Sequence, residues 1–363
     1  MEKEPLLGLS LQQLQDVTSE LGMPRFAAKQ MMQWLYQKNI SDISEMTNLS
    51  KAHRERLAER FVVGRSMPVT TQTSKDGTVK YLFPVLDGGF VETVYIPERE
   101  RATLCVSSQV GCKMNCDFCQ TGKQHFHGNL RTADILNQIY TVNALHAAGA
   151  TDDSDCTKIE APSAGALTNI VFMGQGEPLD NYESVKLSID HLTAPYGWAW
   201  SPKRITVSTI GLKKNLNRFL KETECQLAVS LHFPLHELRM QYMPAERQFA
   251  IEDIVALLRQ FDWNHQRRLS FEYTMFDGVN DSTLFAKELV RLLHDLPCRV
   301  NLIPFHQIEQ TELTPSPMDR ITAFRDYLTR HGIYSTIRTS RGQDIQAACG
   351  MLSTKIANTQ SEE

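Results

Sequence analysis

The sequence predicts an α/β protein: a partial barrel of six βα units, preceded by a small α+β unit and followed by a short C-terminal segment. Three observations carry that prediction. From residue 102 onward, short apolar strands alternate with helical patterns. The first hundred residues lack this alternation. A chain of 363 residues with 42% hydrophobic content can bury a large core, which suits two domains or one large α/β domain with an appendage. The expected boundaries are 1–100, 101–340 and 341–363.

The N-terminal unit reads as helices followed by strands. Ser10 with Gln13 forms a capping-box pattern that opens a helix over Leu11–Leu21, and Gly22 ends it. Pro24 can start a second helix with Phe26, Met31, Trp34 and Leu35 on one face. Ser50 caps a third, basic helix that runs to Phe61. The turn signals Asp76-Gly77 and Asp87-Gly88-Gly89 then divide Val69–Thr73, Thr78–Pro84 and Phe90–Ile96 into a three-strand meander.

In the second unit, strands are expected at Thr103–Ser107, Asn169–Met173, Arg204–Ser208, Gln226–Leu231, Leu269–Met275 and Arg299–Pro304. Helical patterns fall between them, as at Thr132–Ala148, Ile251–Phe261 and Ser282–Leu293. Near-continuous apolar strands joined by helices imply a parallel sheet. Six units are too few for a closed eight-stranded barrel, which leaves a partial barrel or an open doubly wound sheet. In either case functional residues belong at the C-terminal strand ends. Residues 151–166 read as a loop and 358–363 as a frayed tail.

Composition narrows the class. No run of about 18 apolar residues is present, which argues against a membrane span. The start, Met1-Glu2-Lys3-Glu4-Pro5, lacks a signal peptide's apolar stretch, so the expected compartment is the cytoplasm. In a reducing compartment the eight cysteines read as metal ligands or catalytic thiols rather than a disulfide framework. Cys105, Cys112, Cys116 and Cys119 fall within fifteen residues, whereas Cys156, Cys225, Cys298 and Cys349 are scattered. The latter group, Cys349 excepted, reads as structural or incidental. The net charge of −4 does not favour a nucleic-acid partner, yet residues 25–65 carry eight Lys/Arg against four acids. Such a face either meets phosphates or is simply solvated.

The strongest signal is Cys112-Lys-Met-Asn-Cys116-Asp-Phe-Cys119. Three thiolates at this spacing, in a loop after the first parallel strand, can converge on an iron–sulfur cluster and leave one iron open. The competing reading is zinc completed by His125 or His127, although the paired knuckles typical of zinc are missing. The loop, with Phe118 before its last cysteine, resembles the radical-SAM signature. That resemblance implies a [4Fe-4S] cluster on Cys112, Cys116 and Cys119 whose open iron binds S-adenosylmethionine (SAM).

Gly174-Gln175-Gly176-Glu177-Pro178 then resembles the "GGE" segment of that class, with Gly176 and Glu177 toward SAM. Ser208, Ser230-Leu231-His232 and Asn301, at or near later strand ends, match SAM-contacting positions of one subfamily. Two further segments identify it. Val91-Glu92-Thr-Val-Tyr-Ile-Pro97 leads into Arg101-Ala-Thr-Leu-Cys105-Val-Ser-Ser-Gln-Val-Gly-Cys112, and Arg341-Gly-Gln-Asp-Ile-Gln-Ala-Ala-Cys349-Gly follows near the end. Both closely resemble the RlmN group, RNA methyltransferases that act on adenine carbon 2. The likeness spans nearly the whole chain. Gln175 departs from it, since Met is expected there.

The resemblance implies a partial (β/α)6 radical-SAM barrel and a mechanism. Carbon 2 of adenine is electron-poor and cannot attack a SAM methyl by polar displacement. One SAM methylates the Cys349 thiolate. A second is reductively cleaved, and its 5′-deoxyadenosyl radical takes a hydrogen atom from the S-methyl group. The carbon radical adds to carbon 2, Glu92 removes the proton there, and Cys105 forms a transient disulfide with Cys349 to release the product. An external reductant resets the pair. The implied partners are 23S rRNA, the tRNA position beside the anticodon, SAM and an electron donor; a monomer is expected. The basic helix fits contact with an RNA whose adenine is unstacked. Two alternatives stand beside this. The related carbon-8 methyltransferases share the cysteine plan but end the second-strand segment in Glu-Ala, where this chain has Glu177-Pro178. A zinc-stabilised RNA-binding protein would make Cys349 replaceable.

Overall fold

The structure, a computed structural model, describes residues 3–147, 166–263, 267–308 and 311–345. Cys156, Cys349, the expected tail at 358–363 and nearly all of the expected 151–166 loop lie outside the described residues.

The N-terminal segment pairs β1 (Glu4–Pro5) in parallel with β2 (Phe61–Val62), which closes a helical unit between them. Helix α1 (Leu11–Glu20) has the expected capping box: Gln13 N donates to Ser10 Oγ at 3.2 Å and Ser10 N to Gln13 Oε1 at 2.8 Å. Helix α2 (Ala27–Tyr36) buries Met31 and Leu35 as expected. Phe26, expected on that face, precedes the helix as its cap and is 61% exposed. Trp34 is only partly buried and donates to Asn48 at 2.6 Å. Ser50 caps α3 (Lys51–Arg60), and Leu57 is the residue this helix buries.

The meander forms as β3 (Thr70–Thr73), β4 (Val79–Pro84) and β5 (Phe90–Pro97), but it does not close on itself. Its last strand pairs antiparallel with β6 (Ala102–Cys105), so the meander extends the main sheet. The sheet therefore crosses the boundary expected near residue 100. After β6, a ribbon of β7 (Gln109–Val110) and β8 (Gly128–Asn129) brackets the cysteine loop, which carries the short helix α4 (Gln120–Lys123).

Beyond α5 (Thr132–Ala147) the βα alternation is regular. Strand β9 (Asn169–Phe172) precedes α6 (Tyr182–Thr193), β10 (Ile205–Thr209) precedes α7 (Lys213–Glu222), and β11 (Gln226–Ser230) precedes α8 (His236–Tyr242) and α9 (Ile251–Leu258). Then β12 (Leu269–Met275), α10 (Thr283–Leu293), β13 (Arg299–Pro304), α11 (Met318–Arg330) and β14 (Tyr334–Ile337) follow. The sheet order is β14-β13-β12-β11-β10-β9-β6-β5-β4-β3, with every neighbour from β6 to β14 parallel. The parallel part thus has one strand more than the six expected. Its polar sequence, Tyr-Ser-Thr-Ile, gives no apolar run to read.

The sheet is open and curled. A cavity of about 450 Å³ is lined by residues from β5, β6 and every later strand of the sheet, which is possible only if they surround it. Register fixes the inward face: Thr103 pairs with Asn169, Val171 with Thr206, Ser270 with Arg299, and Asn301 with Thr336. The opposite face packs under the helices, where Leu104, Ile170, Phe172, Val207, Leu227 and Val229 are buried. These apolar side chains, at about 25 cal/mol per Å² of buried surface, hold the barrel wall together. No described helix is long and apolar enough to cross a membrane.

Candidate active site

The three clustered cysteines sit in a loop held over the carboxyl ends of the strands. Gly111 starts it at φ +76°, and a Cβ there would lie 2.2 Å from the His125 carbonyl oxygen, so only glycine lets the loop return so closely. Asp117 N donates to Tyr242 O at 3.0 Å and docks the loop on α8. Met114, Cys116 and Phe118 pack against an apolar cluster that includes Phe233, Met243, Phe276 and Phe305. Burial pushes the Cys112 thiol up to about 12, with Cys119 adding to it. Burial, then Cys119 and Cys112, hold Cys116 well above its ordinary range. The three thiols are therefore near enough to feel one another. They do not form a single-ion trio: among the described residues, the donor group within 4.8 Å of one another is His236, Glu246 and Glu252. Partly buried thiols grouped more widely than one ion spans suit a cationic cluster that stabilises them as thiolates.

Beside this loop lies the segment after β9. Gly176 has φ +94°, and a Cβ there would meet Gln109 Cβ at 2.5 Å. Glu177 is buried, with Oε1 accepting from Thr209 Oγ1 at 2.7 Å and Leu179 N at 3.0 Å, and Oε2 from Ile210 N at 2.9 Å. Burial pushes its carboxyl up to about 7 despite those donors, and the Asp180 charge adds to the effect. A buried acid so placed favours a cationic neighbour such as an ammonium group.

The raised carboxyl has a signed consequence for stability. The folded chain holds this proton up to about 7, whereas the unfolded chain releases it near 4.5. Stability associated with the neutral form is present below 4.5 and is lost as pH rises through about 7. Glu177→Gln is expected to remove that decline. Melting temperatures measured without SAM across this window should fall less for the variant than for the parent chain, and equal slopes would contradict the assignment.

The other expected SAM residues lie around the same end. Ser208 and Ser230 sit on the inward face by register, Ser208 opposite Ala228 and Ser230 opposite Glu272. Leu231 is fully buried, with its N–H given to Glu272 O at 3.1 Å and its carbonyl accepting from Arg239 Nε at 3.1 Å. His232, at φ +53°, accepts from Thr274 N at 3.0 Å through Nδ1 and meets the Phe118 ring edge-on at 4.9 Å. Burial, with Arg239 second, lowers its pKa to about 3, so it stays neutral. Asn301 donates to Glu272 Oε1 at 2.8 Å and accepts from Thr336 Oγ1 at 2.8 Å.

Glu92 and Cys105 share the inward face. Cys105 stands opposite Val94 and Glu92 lies two residues along the same strand, so all three side chains project together. Both residues are nearly inaccessible. Glu92 Oε2 is 2.9 Å from Lys80 Nζ, and both side chains are completely buried.

Sequence reasoning missed several supporting residues. Lys80 is one, and its signal was a lysine inside the apolar run Val-Lys-Tyr-Leu-Phe. Gln175 is another: its Oε1 accepts from Glu92 N at 2.9 Å and its Nε2 donates to Gln124 at 3.0 Å, so the departure from Met adds a polar tie between β5 and the glycine segment. Arg239 is a third. Fully buried and paired with Glu246, it donates to the carbonyls of Ile210, Ser230 and Leu231 and ties together the ends of β10 and β11.

An open, curled parallel sheet with a three-cysteine loop over its carboxyl ends defines the radical-SAM class of enzymes. Comparison with known proteins makes the assignment narrower. Residues 5–63 match the family described as "Ribosomal RNA large subunit methyltransferase N-terminal domain". A Bacteroides thetaiotaomicron protein named probable dual-specificity RNA methyltransferase RlmN is 54% identical over 98% of this chain and 97% of its own. A Gluconobacter oxydans dual-specificity RNA methyltransferase RlmN is 42% identical over 97% and 86%. The crystal structure of a radical SAM methyltransferase from Sphaerobacter thermophilus superposes with a TM-score of 0.86 at 37% identity, covering 96% of this chain and 98% of that one. The chain belongs to the RlmN family of radical-SAM RNA methyltransferases.

Proposed function

We propose that the chain methylates carbon 2 of adenosine in 23S rRNA and in tRNA beside the anticodon, using Cys349 as methyl carrier and Cys105 as its resolving partner. The observation that carries this reading is the common inward face of Glu92 and Cys105. Cys112, Cys116 and Cys119 hold a [4Fe-4S] cluster, and Gly176, Glu177, Ser208, Ser230, Leu231, His232 and Asn301 surround SAM. Bound there, cluster and SAM together supply the carbon-centred radical chemistry that an electron-poor ring carbon requires.

The chain's own residues do the rest. Cys349 carries the methyl group as a thioether and presents it to the base. Glu92, kept in place by Lys80 and by the Gln175 tie to its backbone, accepts the carbon-2 proton. Cys105 attacks the Cys349 sulfur, which releases methyladenine and leaves a disulfide for an external reductant. Residues 1–100 serve as an accessory RNA-binding region, 101–340 as the barrel and 341–363 as the carrier segment. The chain acts as a monomer in the cytoplasm.

The test is mass spectrometry of nucleosides from unmodified rRNA and tRNA incubated anaerobically with reconstituted protein, SAM and reductant. The expected product is 2-methyladenosine; 8-methyladenosine alone would overturn the choice of carbon. In parallel, Cys116→Ser should strip most of the iron and the broad absorption near about 400 nm. Undiminished iron in that variant would remove Cys116 from the ligand set.

A further inference from the structure

The barrel has a second end, and its charge is unbalanced. The cavity lining carries six cations, Arg101, Lys203, Arg268, Arg299, Arg338 and Arg341, against one carboxylate, Glu98, in a chain whose net charge is −4. Four of them cluster where the strands begin. Arg101 precedes β6, Lys203 precedes β10, Arg268 precedes β12, and Arg299 is the first residue of β13. This is the end away from the cysteine loop.

Their partners are few. Arg101 reaches Glu98 at 3.6 Å. Among the described residues, no carboxylate lies within salt-bridge distance of Lys203, Arg268 or Arg299. Burial and then the charges of Arg299 and Arg101 lower the Arg268 pKa, so these cations act on one another across the opening. Arg299 lies over the ring of Tyr334 at 5.0 Å, and that ring is 56% exposed. Guanidinium groups beside an exposed aromatic face suit phosphates and stacked bases.

The basic helix α3 offers a contrast. Lys51 reaches Glu55 at 3.8 Å, Arg60 binds Glu20 at 2.9 Å, and Arg54 donates to the Ser44 carbonyl. Much of its charge is already engaged within the fold. At the barrel mouth three cations are held together without such neutralisation, and their repulsion is relieved only by an anion from outside.

We propose that the N-terminal mouth of the barrel is a phosphodiester site, where Lys203, Arg268 and Arg299 grip the RNA strand that delivers its adenine into the lumen. RNA and SAM then approach Cys105 from opposite ends of the barrel. The proposal rests on the RNA-methyltransferase reading but not on which carbon is methylated.

The test uses the full-length, cluster-reconstituted chain and an unmodified RNA stem-loop bearing the target adenine, with affinity measured by anisotropy across a salt series. Arg268→Gln combined with Arg299→Gln should weaken binding by roughly 10- to 100-fold and reduce the slope of log affinity against log salt by about 1.4, two released contacts at about 0.7 each. The Michaelis constant for RNA should rise in parallel. Lys203→Glu, at an exposed position, repeats the test should the double variant fold poorly; iron content and melting temperature report folding. Unchanged affinity and salt slope would overturn the proposal. So would variants that lose affinity for free phosphate or heparin while their Michaelis constant for the stem-loop stays put. If RNA binding falls as expected but 2-methyladenosine never forms, the mouth stands and the reaction assignment fails.

Discussion

Cys349→Ala is expected to lower RNA methylation on the order of 10³-fold or more, to below detection in a nucleoside assay. Cys349 lies outside the described residues, which reach residue 345. Asp344 accepts from Ser74 Oγ at 2.5 Å and from Lys75 N at 3.1 Å, and Gly342 N donates to Asp76 Oδ2 at 3.0 Å. These bonds clasp residues 342–345 to the turn between β3 and β4. That turn opens β4, whose Lys80 contacts Glu92. Four residue steps separate Ile345 from Cys349, so chain length alone limits their Cα atoms to a separation of about 14 Å. The substitution removes one sulfur and should leave iron content and RNA affinity unchanged. Intact-protein mass spectrometry gives the complementary readout: the parent chain should gain one methyl group with SAM, localised to the peptide bearing Cys349, and the variant should not. Full methylation by the variant would sink the carrier mechanism.

The sequence made the chemistry of the cysteine loop easier to read than the shape around it. Cys112, Cys116 and Cys119 stand within eight residues, so their ligand spacing is a local property that survives without a fold. The pairing of Glu92 with Lys80 is different in kind. It depends on register between β4 and β5, where Leu82 stands opposite Glu92 and Lys80 opposite Val94. Nothing in a linear pattern states which alternate residues face a lumen rather than solvent, and a lysine there reads first as a surface residue. The boundary expected at residue 100 was blurred for a related reason. Hairpin strands and parallel strands have different textures in sequence, yet one sheet accepts both, because β5 can pair antiparallel with β6 while β6 pairs parallel with β9. Strand β14 stayed hidden because its residues are half polar, and the lumen that makes such residues acceptable is itself a product of folding. The arginines of the barrel mouth are legible only in three dimensions: Arg101, Arg268 and Arg299 are far apart in sequence and meet because parallel strands begin at the same end.

Cys105→Ala should convert a turnover enzyme into one that stalls on its substrate. With the resolving thiol gone, Cys349 remains joined through its methylene carbon to adenine carbon 2, and each protein traps at most one RNA. The site favours a clean result. Cys105 ends β6 on the inward face, and loss of one sulfur from this position should cost about 1 kcal/mol, leaving the fold intact. Denaturing gels should show a protein–RNA band that resists heat and detergent, and nuclease digestion should leave a methylene-bridged adenosine on the peptide containing Cys349. Dithiothreitol should not reverse the band, since the link is a thioether. A Glu92→Gln variant should also stall if proton removal precedes resolution, which tests the order of the two steps at their shared face. The double variant Cys105→Ala with Cys349→Ala should form no adduct, and this separates trapping on the carrier from attachment elsewhere. Repeated turnover by Cys105→Ala without any adduct would show that another group performs the resolving attack, and Cys105 would then be only a small buried residue beside the base.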